Sequence, residues 1–277
     1  LGPELWRIAW HKSGIIKQGK PAITAERKPE ALAEIVKEAR TKESRLYCIG
    51  EDWGWDTVAM DGSGITLDVR APYGRYEQVW TPILGPFQAQ NAGLAIAAAD
   101  VLAHERGMAL CEQTVREQMS SARLPGRLEV MQQEPLVILD GAHNPQKARS
   151  LADAMQALCP NQKYTLIFGM LGTKDAASSL SYLLSQSNRV AVTRPLVKGK
   201  RATEPEELAD IVRDLGYGGA LEAYPNVLQA MKDVLGQATP DDLILITGSL
   251  YMIGEAREFW VPSQRLLIEA EQRLRYL

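Results

Sequence analysis

The stretch LVILDGAHNPQKARSLADAM, residues 136–155, decides how the second half of the chain is read. Apolar residues 136–139 run straight into Asp140 with no polar alternation, as expected for a strand buried on both faces. Gly141, Ala142, His143, Asn144 and Pro145 then make a tight polar turn. Beyond Pro145 the apolar positions recur at helical spacing. That is a β–turn–α unit with an acidic residue at the strand's carboxyl end. The same rhythm recurs downstream. Strands are expected at YTLIFG (164–169), NRVAVT (188–193) and DLILITG (242–248), and helices near 146–158, 176–186, 205–214, 226–237 and 249–259. Buried strands separated by helices imply an α/β domain with a mainly parallel, doubly wound sheet.

Upstream of RLPGRLEV (123–130), a Pro-Gly break, the pattern differs. A helix is expected from Pro3 to Ser13, with Leu5, Ile8 and Ala9 on one face, followed by a short strand in PAITA (21–25). PEALAEIVKEART (29–41) is an amphipathic helix with Pro29 near its first turn, and RLYCIG (45–50) is a strand. WDTVAM, ITLDVR and YEQVWTPI alternate with period two around DGSG and APYG, which predicts an antiparallel meander. A small-residue helix follows from Gln88 through QNAGLAIAAADVLAHER, then a further helix in CEQTVREQMSSA. The expected organisation is residues 1–122 as one domain, 123–127 as a hinge and 128–277 as the second domain.

The 277 residues are 45% apolar and 23% charged, with a formal charge of -3. That balance offers no basic footprint for nucleic acid and no cationic face for a membrane. No apolar run is long enough to span a bilayer, and no signal peptide is expected. Cys48, Cys111 and Cys159 lack metal-ligand spacing and read as reduced, buried thiols of a cytoplasmic protein. The opening LGPELWRIAWHK has no Met and is already helix-like, so the chain reads as cut from a longer protein.

In doubly wound sheets ligands sit at the carboxyl ends of the strands. DGAHNP, GMLGTKD and TGSLY all fall there. Asp140 is placed to hydrogen-bond a ribose hydroxyl, and His143 lies within reach of the same ligand; the plainer reading is a helix-capping Asp and a surface His. Arg127 follows the Pro-Gly break and could clamp a phosphate, or be an ordinary linker arginine. Lys174 is open to two readings, a phosphate contact or a structural pair with Asp175. Ser249 and Tyr251 put two hydroxyls at a helix start, suited to an anion or carboxylate, or to a Ser cap with a core Tyr. Lys12 has an apolar neighbourhood, and a partly buried lysine could react with carbon dioxide. His104 sits on a charged helix face and is expected to be merely solvated. No GxxxxGK[ST] phosphate loop occurs anywhere in the chain.

Taken together, LPGRLEVMQQEPLVILDGAHNP, LGPELWRIAWHKSGIIKQGKPAI, LGPFQAQNAGLAIAA, FGMLGTKD, KRATEPEEL and ITGSLYMIGEAR resemble the folylpolyglutamate synthase/dihydrofolate synthase family of the Mur ligase superfamily. The likeness runs through nearly the whole chain and corresponds to the later two-thirds of the family's usual length. The Arg127-to-Asp140 spacing and the DGAHNP string are its most specific features. The resemblance implies the rear part of a central ATPase domain followed by a Rossmann-like C-terminal domain. It implies an ATP-dependent ligase that activates a folate or dihydropteroate carboxylate as an acyl phosphate, which the amine of L-glutamate attacks. ATP and Mg2+ are the implied cofactors, and a cytoplasmic monomer the implied full-length state.

Carried over by the resemblance, Asn91 contacts adenine, Arg127 phosphate and Asp140 ribose. His143 lies near nucleotide and glutamate, and Ser249 and Tyr251 bind glutamate or act in closure. Lys12 matches a carbamylated lysine that helps hold magnesium. Catalysis would rest on Arg127, His143 and Lys12, with Arg127 delivered by closure at the hinge. The family's phosphate loop and a magnesium-binding His have no counterpart in the printed sequence, and Phe87 stands where a His is frequent, while Gln88 and Asn91 are kept. The chain alone is therefore expected to be inactive. The alternatives are a non-catalytic nucleotide- or partner-binding module, or a Mur-type ligase for another amino acid.

Overall fold

The computed structural model describes residues 4–262. They fall into two compact units, Leu1–Arg123 and Leu124–Leu277.

The first unit opens with α1 (Leu5–Ser13), β1 (Ala22–Thr24), α2 (Pro29–Thr41) and β2 (Leu46–Cys48). β1 and β2 pair in parallel, Ile23 opposite Tyr47. The meander follows as β3 (Gly54–Asp61), β4 (Gly64–Arg70) and β5 (Arg75–Thr81), antiparallel throughout. Its first turn is tied by Asp61, whose Oδ1 accepts from Ser63 N at 2.7 Å and Ser63 Oγ at 2.6 Å. Gly64 is required there, because a Cβ would stand 2.2 Å from the Thr81 carbonyl oxygen. Two helices complete the unit, α3 (Pro86–Glu105) and α4 (Glu112–Ser120). Ala89, Ala92, Gly93 and Ala97 line the buried side of α3. Gly93 lets it approach Trp55, whose Cβ would lie 3.1 Å from an added methyl. Trp53, Ile65, Leu67, Val79 and Ile96 are buried in the core between meander and helix.

The second unit begins with the antiparallel strand β6 (Glu129–Gln133) and then alternates: β7 (Leu136–Asp140), α5 (Pro145–Leu158), β8 (Tyr164–Phe168), α6 (Ala176–Leu183), β9 (Ser187–Val192), α7 (Pro205–Asp214), β10 (Ala220–Ala223), α8 (Val227–Gln237), β11 (Leu243–Thr247) and α9 (Leu250–Arg257). The six strands lie in the order β10-β9-β8-β11-β7-β6, and only β6 runs antiparallel to its neighbour. β8, β9 and β10 step outward in one direction. β11 then returns between β8 and β7, so the strand order reverses there. That reversal opens a crevice at the carboxyl edge. Val137, Ile138 and Leu139 are buried, each contributing about 1.5–3 kcal/mol relative to exposure. β11 is buried along its whole length.

The α/β class and the parallel sheet are as read from the strand pattern. β6 and β10 were missed, for a shared reason. Both are edge strands with a half-exposed or exposed burial pattern, so neither carries an apolar run. Residues 124–127 lie in the second unit, where Gly141 N donates to the Gly126 carbonyl at 2.9 Å. Three local expectations are corrected. None of the cysteines is buried: Cys48 and Cys159 are half-buried and Cys111 is exposed. His104 is exposed but stacks on Tyr73, ring centroids 3.6 Å apart and planes 10° apart, because the turn after β4 folds that tyrosine back over α3. Lys12 is exposed rather than partly buried, since α1 buries only Ala9 and Ser13. Among the described residues no helix is long and apolar enough to cross a membrane.

Candidate functional site

The carboxyl edge of the second unit's sheet is built around Asp140, which is 4% exposed. Its Oδ1 accepts from Ala142 N at 2.8 Å and its Oδ2 from Leu128 N at 3.0 Å. The carboxylate thus ties the Arg127 turn to the end of β7, and each oxygen keeps a second lone pair. Burial pushes the Asp140 carboxyl above its ordinary range, against the pull of the two amides and of Arg127 and Lys147.

Arg127 is presented by an unusual backbone. Gly126 has φ 66° and Leu128, a buried leucine, has φ 45°. A left-handed non-glycine residue costs about 1–3 kcal/mol and persists only where surrounding contacts impose it. Two contacts do so here: the Asp140–Leu128 bond, and Glu129, whose Oε2 accepts from Gly126 N at 2.8 Å. Glu129 is held in turn by Arg257 of α9, Nε to Oε1 2.9 Å. Arg127 Nη1 lies directly over Gly141, where a Cβ would meet it at 2.9 Å.

His143 is half-buried. Its Nδ1 lies 2.7 Å from the Gly141 carbonyl and its Nε2 3.4 Å from Lys147 Nζ. Asn144 caps α5 by accepting from Lys147 N at 2.9 Å, with Pro145 in the first turn. Lys147 is thereby turned back over the strand end. Burial lowers its pKa, as do Arg127 and Lys174, while Asp140 acts in the other direction. Among the described residues neither Arg127, Lys147 nor Lys174 makes an ion pair.

Of the two readings of Lys174, the structural pair is not formed. Asp175 instead caps α6, accepting from Ser178 N at 2.9 Å, and those bonds hold its carboxyl below its ordinary range. Ser249, 2% exposed, caps α9 by accepting from Tyr251 N at 3.3 Å. Tyr251 is not a core residue. It is 45% exposed, its hydroxyl accepts from Lys200 Nζ, and that ammonium stands 4.5 Å from the ring centroid. The Lys200 loop is fastened by Leu196 N to Glu255 Oε1 at 2.9 Å and by Thr203 N to the Met170 carbonyl at 2.9 Å.

The edge thus gathers Arg127, Asp140 and His143 around one strand end, with Ser249 and Tyr251 at the start of α9. Sequence reasoning passed over Glu129, Lys147, Lys200 and Glu255. The other expected residues lie in the first unit. Asn91 is exposed on α3, its Nδ2 donating to the buried Gln88 Oε1 at 2.7 Å. Lys12 lies on α1 beside an apolar groove of about 420 Å3 that includes Ile15, Ile16, Ile23 and Ile35. Among the described residues no group of three or more His, Cys, Asp or Glu side chains could hold a metal ion.

Comparison with known proteins agrees with this fold. Residues 126–250 match the family described as Mur ligase, glutamate ligase domain. The folylpolyglutamate synthase of Lacticaseibacillus casei is 30% identical over 259 residues, covering 93% of this chain and 58% of that protein. The crystal structure of folylpolyglutamate synthase from Thermotoga maritima superposes with a TM-score of 0.80 at 30% identity, over 93% of this chain and 58% of that one. E. coli FolC in complex with DHPP and ADP gives a TM-score of 0.77 at 29% identity, over 98% and 58%. The chain therefore spans somewhat more than half the length of these relatives. Residues 126–250 thus form a Mur ligase glutamate ligase domain, and the chain as a whole is similar to folylpolyglutamate and dihydrofolate synthases.

Proposed function

We propose that this chain is the nucleotide- and amino-acid-facing part of an ATP-dependent ligase that adds L-glutamate to a folate or dihydropteroate carboxylate through an acyl phosphate. One observation carries the reading: Arg127 and Lys147, without ion-pair partners among the described residues, stand at the end of one buried strand, Arg127 Nη1 over Gly141 and Lys147 Nζ 3.4 Å from His143 Nε2. An unbalanced cationic cluster at the carboxyl edge of a parallel sheet suits a polyphosphate. The relatives described above, one of them holding ADP, support the same ligand class.

The chemistry requires two anions, a terminal phosphate and a carboxylate, to approach each other. Arg127 lowers that repulsion and the charge that develops during transfer. Asp140 would accept from a ribose hydroxyl through its free lone pairs. By the resemblance His143 would lie near the nucleotide and the incoming amine, and the Tyr251–Lys200 pair and Ser249 would offer donors to the amino acid's carboxylates. Asn91 is assigned the adenine contact, and Lys12 a carbamate toward magnesium, by the resemblance alone. The described residues provide no magnesium ligand set, so no step is derived through the ion.

Calorimetry with ADP tests the reading. The chain should bind ADP, and Arg127→Ala should weaken binding about 10- to 100-fold, the loss of one charge-assisted contact of roughly 1.5–3 kcal/mol. Equal affinity in both proteins would remove Arg127 from the site. The alternative reading is a nucleotide-binding module without turnover. ATP-dependent glutamate addition by the purified chain would rule that module out.

A further inference from the structure

The His143–Lys147 contact is not explained by helix capping or packing. A carbonyl oxygen only accepts, so the 2.7 Å contact to Gly141 requires the proton on His143 Nδ1. Nε2 of the neutral ring then carries a lone pair. The group facing it at 3.4 Å is the Lys147 ammonium, a pure donor. The Nε2 lone pair is therefore covered by that ammonium.

Lys147 is poorly placed to stay there. It works against Arg127 and Lys174 as like charges. The nearby carboxylate of Asp140 is buried and already bonded to two backbone amides. Arg127 lies over Gly141 from one side, and the carbonyl of the same Gly141 holds His143. An anion drawn in by these cations arrives beside the His143 ring and competes for the Lys147 ammonium.

We propose that Lys147 masks the base of the reaction: without an anion it donates to His143 Nε2, and a phosphate drawn in by Arg127, Lys147 and Lys174 takes it away, freeing that lone pair to deprotonate the ammonium of the incoming amino acid. The step balances. One N–H bond of the ammonium breaks and an N–H bond forms at Nε2. The freed amine attacks the acyl carbon, a C–N bond forms, and the C–O bond to phosphate breaks with its electron pair on the departing phosphate. The phosphate accepts the second amine proton, and the imidazolium returns its own to solvent. The base is thus exposed only when a phosphate is present. Lys147 is a positioning residue here, and the inference rests on the ligase reading above.

The test needs no turnover. The chain holds three histidines, so 15N-histidine labelling gives three ring spin systems, and His143→Gln identifies one. Spectra are recorded at about pH 8, above the ordinary imidazole range, with and without inorganic pyrophosphate. The expected result is an Nδ1–H tautomer for His143 and an Nε2 resonance that moves when pyrophosphate is added. In Lys147→Met the resonance should start at the shifted position and stay there. Lys147 is exposed and Met has a similar helix preference, so α5 is retained. An Nε2–H tautomer would overturn the proposal. So would a Lys147→Met spectrum that matches the parent, or pyrophosphate binding, seen in the backbone amides of residues 126–128, that leaves His143 unmoved. No response in any resonance would instead overturn the anion site, and the ligase reading with it.

Discussion

Gly248 has φ 114°, and a Cβ there would lie 2.5 Å from the backbone oxygen of Gly169. Gly169 is equally enclosed: a Cβ there would lie 2.7 Å from the Thr193 carbonyl oxygen and from Met252 Sδ. Backbone rather than a flexible side chain blocks Gly248, so relaxation is expensive. Gly248→Ala should cost more than about 2 kcal/mol in urea unfolding, the strain of an unfavourable φ plus the displaced strand end. Gly141 is different. Its closest obstacle is the tip of Leu250, which can move, and the next is Arg127 Nη1 at 2.9 Å. Its lack of a side chain serves the placement of the guanidinium more than the stability of the fold. The same separation holds for Asp140, whose visible bonds anchor the Arg127 turn.

Among the strands, β10 is the least secured by burial. It is held to β9 through its register, Leu221 opposite Val190, and by a polar group across the pair. Arg189 donates to Glu222, which also accepts from Tyr224 at 2.9 Å, and Arg189 reaches Gln237 at 2.9 Å. The Arg189 bond holds the Glu222 carboxyl below its ordinary range. A lowered folded pKa means stability that is present above the unfolded pKa and lost as pH falls through the folded one. The pair is partly exposed and screened, so Glu222→Gln should cost under about 1 kcal/mol at pH 7. The gap to the parent should begin to close near pH 4.3, the ordinary glutamate value, and vanish below it. A gap that is constant from pH 7 to pH 3, followed by denaturant midpoints, would remove the ion pair as its source. The helices of this unit are entered in a repeated manner. Asn144, Asp175, Asn226 and Ser249 each cap a helix with their own side chains, at about 1 kcal/mol apiece.

The two units differ in how much sheet each can close. The second has six strands with helices between them and fully buried central strands. The first has a two-stranded parallel pair and a separate three-stranded meander. Parallel pairs this small are rarely stable without further strands or helical cover. Limited proteolysis followed by mass spectrometry should therefore leave a fragment beginning near Leu124 as the longest-lived species. Survival of a fragment ending near Arg123 instead would show that the meander and α3 suffice to hold the first unit.

Hydrophobic period alone was enough to read α/β class, the buried strands β7, β8, β9 and β11, the meander and most helices, because burial on one face or both leaves a direct imprint on residue order. Motif strings singled out Arg127, Asp140 and His143, which the fold sets around one strand end. The edge strands β6 and β10 stayed hidden because exposed strands need no apolar run. The surroundings of Lys12, Cys111 and His104 were misjudged because exposure depends on what packs over a residue, and neighbours in sequence do not report that. Lys147 over His143, and Lys200 over Tyr251, were invisible for the same reason. Each contact is fixed by where a capped helix or a fastened loop sets down its side chain in space.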